Sequence, residues 1–149
     1  MKLNKHDKTF SDYIRDRDDW TCRRCGRVFG LINGKRERGL TCSHFWERRR
    51  SRTRYDKDNC ISLCFPGCHT LWEHEKQGDY QEFMLMWLGK DRFDALRERA
   101  NTHMKRGDAD REWQDYYMAL KKANLKSKGV ISTPEKSSAY PPDGSGGLI

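Results

Sequence analysis

In the second half of the chain, apolar residues recur at helical spacing. Tyr80, Phe83, Met84, Trp87 and Leu88 fall at i, i+3, i+4, i+7 and i+8, one apolar stripe along a helix that follows Gly78-Asp79. Gly89 stands where that helix should close, since glycine takes the left-handed backbone of a helix end without a Cβ penalty. Asp91 is placed to cap a second helix with Phe93, Leu96 and Ala100 on one side. Asp108 or Asp110 is placed to cap a third, carrying Trp113, Tyr116, Tyr117 and Leu120. Aromatic and Met residues at this spacing need no cause beyond a core.

The first half has a different rhythm. Ser11 or Asp12 can cap a short helix through Tyr13, Ile14 and Arg17. Residues 26–39 are Gly-rich and basic without a helical period, which predicts a knuckle and loop. Leu40 to Trp46 reads as a strand, and Asn59 to Cys64 alternates as its return. Phe65-Pro66-Gly67 breaks the pattern, and a helix should open near Cys68. The expected class is α+β, with a core at residues 1–78 and a helical extension at 79–126 packed on it. A disordered tail is expected at 127–149, where Ser, Gly, Pro and Lys dominate. No internal repeat is visible.

Composition narrows this picture. The 149 residues are 35% apolar with a mean hydropathy of -1.07, enough for one modest core. No run approaches the roughly 18 apolar residues of a membrane helix, and the start, MKLNKHDKTF, lacks the apolar stretch of a secretory signal. A soluble, cytoplasmic protein without a membrane partner is expected. The net charge of +8 is uneven: residues 1–54 carry 16 basic and 7 acidic side chains, residues 55–149 carry 14 and 15. The excess peaks at Arg48, Arg49, Arg50, Arg52 and Arg54. Arginine pairs bidentately with phosphate oxygens, so this run is a candidate phosphate-binding surface as well as a solvated loop.

Six cysteines are too sparse for a disulfide scaffold. Cys22-x2-Cys25 and Cys64-x3-Cys68 are instead two knuckle-type pairs, each able to wrap two thiolates around one tetrahedral ion. Together they predict a structural Cys₄ zinc site, a staple that a chain with so small a core needs. Cys42 and Cys60 fall outside the scheme, either as small buried residues or as substitute ligands.

Between and just after the zinc pairs come His44, Asn59 and His69. A strand, loop, strand and helix pinned by zinc should bring these three side chains into one cleft. At this point the chain resembles the HNH endonucleases of the His-Me finger (ββα-metal) superfamily. The resemblance covers Tyr13 to about Glu75, through RDRDDWTCRRCG, CSHF, RYDKDNCISLC and CHTLWEH. It looks most like small phage-encoded HNH proteins, including recombination nucleases of the NinG/Rap kind.

The resemblance implies a zinc-stapled, treble-clef-like ββα-metal core and metal-dependent hydrolysis of DNA phosphodiester bonds. His44 would be the general base for the attacking water. Asn59 would orient its imidazole through the amide oxygen or with help from nearby backbone. His69 would bind a catalytic Mg²⁺ or Mn²⁺, and the arginines would hold flanking phosphates. Many HNH proteins carry a metal-binding Asp or His directly before the catalytic His, where this chain has Ser43. Glu73, four residues after His69 on the same helix face, is the candidate replacement. Asn59 is a second. The implied partner is DNA, including branched recombination intermediates, in the cytoplasm of a phage-infected bacterium. Cutting two strands would call for a homodimer.

A reading from another class is a catalytically silent zinc module that binds nucleic acid through the basic segment. Two other readings fail on spacing and context: the C₂H₂ finger lacks its recognition helix, and a redox CxxC lacks a surrounding βαβ pattern.

Overall fold

The computed structural model describes residues 2–126. Among them are five α-helices and two small antiparallel sheets, a mixed α+β arrangement. The disordered tail expected at 127–149 lies outside the described residues.

Helix α1 spans Lys5–Arg17 and starts well before Ser11 or Asp12. Its cap is Asn4, whose side-chain oxygen accepts from the Asp7 amide at 2.8 Å while the Asp7 carboxylate accepts from the Asn4 amide at 2.8 Å. No apolar residue marks this polar start. Phe10 and Ile14, one turn apart and buried, mark only the middle of the inward face. At the far end Arg17 donates to the carbonyls of Lys57 and Cys60, both at 2.7 Å, and fastens α1 to the central hairpin.

The segment expected as plain loop holds a small hairpin, β1 (Leu31–Ile32) and β2 (Lys35–Arg36). Asn33 and Gly34 turn it with φ of 50° and 75°, the left-handed pair that a two-residue hairpin turn requires. Gly39 follows at φ 111°, and a Cβ there would meet the Phe29 ring at 3.3 Å.

Strands β3 (Leu40–His44) and β4 (Cys60–Cys64) pair antiparallel, with Thr41 opposite Leu63, Ser43 opposite Ile61 and His44 opposite Cys60. After a Phe65–Pro66 turn, helix α2 (Gly67–Thr70) continues into a single wider π turn, Leu71–Glu75. Helices α3 (Gln77–Leu88) and α4 (Lys90–Ala100) are separated by Gly89 alone, at φ 77°. Gly89 is therefore the cap of α4 as well, and Asp91 sits inside its first turn, where a negative charge suits the helix dipole.

Helix α5 spans Arg106–Lys126 and begins ahead of both capping candidates. It docks on α1 by a narrow face: Trp113 is buried and its Nε1 donates to Thr9 Oγ1 at 2.9 Å, whereas Tyr116 remains 45% exposed.

Two apolar clusters flank the β3–β4 hairpin. Ile61, Leu63, Trp72, Tyr80, Phe83 and Leu96 pack on the α3–α4 side. Phe10, Ile14, Cys60 and Trp113 pack on the α1 side. The hairpin is thus covered on both faces, which fixes the surroundings of every polar side chain along it.

Candidate metal centre and histidine site

Cys22 and Cys25 lie in a tight knuckle closed by the Gly26 amide donating to the Cys22 carbonyl at 2.9 Å, with Gly26 at φ 76°. Cys64 ends β4 and Cys68 lies in α2. All four sulfurs fall within 4.8 Å of one another, and those of Cys25 and Cys64 are 3.8 Å apart. A tetrahedron of Zn–S bonds near 2.3 Å has edges of about 3.8 Å, so the spacing suits an ion of that size. Hydrogen bonding with Cys68 and then burial push the Cys22 thiol well above its ordinary value. These four residues lie close together and could hold a metal ion such as zinc.

His44 ends β3 and faces α1, its ring centroid 6.3 Å from that of Phe10. Its Nε2 lies 2.9 Å from the backbone carbonyl of Arg54. A carbonyl only accepts, so Nε2 carries the hydrogen and Nδ1 holds the lone pair. Burial pushes the imidazole down to about 4, and the Arg48 and Arg54 charges act in the same direction against the Arg54 carbonyl and Asp7. The ring is neutral at pH 7, with the lone pair of Nδ1 unprotonated. It borders a cavity of about 240 Å³ shared with Ser11, Arg15, Cys42 and Arg48.

Asn59 does not touch that imidazole. Its Oδ1 accepts from the Trp46 amide at 2.8 Å, and its Nδ2 donates to the carbonyls of Trp46 at 2.9 Å and Thr53 at 3.0 Å. The amide oxygen expected on His44 is already engaged. Asn59 instead ties together the ends of the loop 46–53, and the next residue, Arg54, presents the carbonyl that orients the ring.

His69 bonds neither His44 nor Asn59. Its Nδ1 is 2.6 Å from Thr41 Oγ1 and its Nε2 is 3.0 Å from Glu73. Thr41 is three positions before His44 on β3, and alternation along a strand sends the two side chains to opposite faces. The expected convergence of His44, Asn59 and His69 therefore fails at His69. Ser43, on the Thr41 face, meets the Tyr80 hydroxyl at 3.0 Å in a buried pair and is closed to a ligand. Glu73 does reach His69, as their shared helix face implied.

The arginine run also divides. Arg54 is 1% exposed, and its guanidinium pairs with Asp7 at 2.6–2.8 Å. This removes Arg54 from any phosphate-binding surface, because no phosphate can reach it. Arg50 donates to the Ala100 carbonyl at 2.8 Å and secures the end of α4. Arg49 is exposed beside Glu47, and Arg52 lies 3.8 Å from Glu112. Arg48 lines the His44 cavity. The sequence did not mark Arg15, which joins that cavity from α1, nor Asp7, which holds Arg54 from 47 positions away.

Among the described residues, no helix is long and apolar enough to cross a membrane. Comparison of the chain with protein-family models, with curated proteins and with solved structures finds no match.

Proposed function

We propose that the chain is a metal-dependent DNA endonuclease of the HNH kind, with β3, β4 and α2 as its ββα unit and a structural zinc on Cys22, Cys25, Cys64 and Cys68. The observation that carries the reading is the setting of His44. Its ring is neutral, fixed by the Arg54 carbonyl, and borders a cavity with two arginines.

In hydrolysis, Nδ1 of His44 takes a proton from the attacking water while Nε2–H stays on the Arg54 carbonyl, which favours the imidazolium as it forms. Arg48, and Arg15 in its pair with Asp12 at 2.6 Å, line the cavity and place positive charge beside a bound phosphate. Asn59 keeps the loop closed, and with it the position of the Arg54 carbonyl. A divalent cation, when bound, supplies charge stabilisation at the scissile phosphate and leaving oxygen. His69 and Glu73 have the nitrogen and carboxylate donors for one, but they lie across the hairpin from His44. No step is assigned through it.

That separation favours a second reading, a zinc-stabilised nucleic-acid-binding module without catalysis. Incubating the protein with supercoiled plasmid and with branched DNA, in Mg²⁺, Mn²⁺ or EDTA, separates the two. Metal-dependent nicking supports the nuclease. Salt-sensitive binding without cleavage of either DNA supports the silent module.

A further inference from the structure

On the α1 face of the hairpin, Cys42, His44 and Cys60 bring two sulfurs and an imidazole nitrogen within 4.8 Å of one another. His44 stands opposite Cys60 in the strand register, and Cys42 precedes His44 by two residues on the same face. Cys60 is fully buried, whereas Cys42 and His44 border the 240 Å³ cavity, which gives a small ion a way in.

We propose that Cys42, His44 and Cys60 form a second metal site, separate from the four-cysteine cluster, that takes a thiophilic ion of the Zn²⁺ class. Two thiolates and one imidazole are a zinc ligand set, and three protein ligands leave a fourth position open toward the cavity. Binding releases the two thiol protons. Resting on the reading of His44 as a base, the site also regulates it: the Arg54 carbonyl holds Nε2–H, so a metal on Nδ1 occupies the lone pair that would accept a proton.

The test is elemental analysis of the full chain after equilibration with Zn²⁺ and removal of free metal. Wild type should hold two zinc ions per chain, and Cys42→Ala and Cys60→Ser one each. If Cys60→Ser does not fold, the partly exposed Cys42→Ala decides. One zinc in wild type, or two in folded Cys42→Ala, overturns the site. Excess Zn²⁺ should inhibit cleavage by wild type and spare Cys42→Ala, and equal inhibition of both overturns the regulation. Two zinc ions in a protein that cleaves nothing would uphold the site and reject the nuclease.

Discussion

Arg54 and Asp7 meet in a fully buried ion pair at 2.6–2.8 Å, and the backbone of the same Arg54 holds His44 at 2.9 Å. One residue thereby joins the capped start of α1 to the imidazole at the end of β3. Breaking such a pair leaves an uncompensated charge in the interior, at a cost of about 3–5 kcal/mol. Urea unfolding of Arg54→Met should show a loss of that order, whereas Arg49→Ala, on an exposed side chain, should stay close to wild type. Equal, small effects at both positions would contradict the division of the arginine run.

The same pair gives stability a pH dependence. Burial alone would raise the Asp7 carboxyl, but hydrogen bonds from Arg54 and Asn4 and the Arg54 charge together outweigh it and hold the group below its ordinary value of 3.8. A depressed carboxyl stabilises the fold at pH values above its unfolded pKa, and that contribution fades as pH falls through its folded value. Wild type should therefore lose more stability than Asp7→Asn between pH 5 and about pH 2. Parallel losses in the two proteins, measured by urea unfolding, would remove Asp7 from the acid sensitivity.

Removing metal from the four-cysteine cluster should unfold the N-terminal half, because the ion would join the Cys22–Cys25 knuckle to Cys64 on β4 and Cys68 on α2. Zinc binding of this kind is coupled to folding. Circular dichroism during chelation should show loss of structure, with recovery on adding Zn²⁺. An unchanged spectrum after complete metal removal would exclude a structural role for the cluster.

Nucleic-acid binding should depend on the arginines that remain accessible. Each phosphate contact contributes about 0.9 to the slope of log K against log salt on duplex DNA. Arg49→Ala and Arg52→Ala, both on exposed side chains, should each lower the slope by up to about that amount without large changes in stability. A flat salt dependence in wild type would remove phosphate binding from the segment.

Much of this fold could be read from the sequence. The apolar stripe of α3, its closure at Gly89, the β3–β4 hairpin and the convergence of four cysteines all follow from spacing. Asn33-Gly34 was also a readable hairpin signal, hidden only because the flanking strands are two residues long and exposed. What spacing could not supply was partnership across the chain. Nothing near Arg54 distinguishes it from Arg48 or Arg52, since its partner Asp7 is remote in sequence. The histidines illustrate the same limit differently: strand order puts His44, Asn59 and His69 in one region, while side-chain alternation separates His44 from the Thr41–His69 pair.

The most direct measurement is cleavage of plasmid DNA by wild type and His44→Ala, each folded alike and each carrying zinc at the four-cysteine cluster alone. Loss of a general base should lower the rate by roughly 10²–10⁴-fold and leave DNA affinity near its wild-type value. A His44→Ala protein that cleaves at the wild-type rate would show that the chemistry, if present, lies elsewhere.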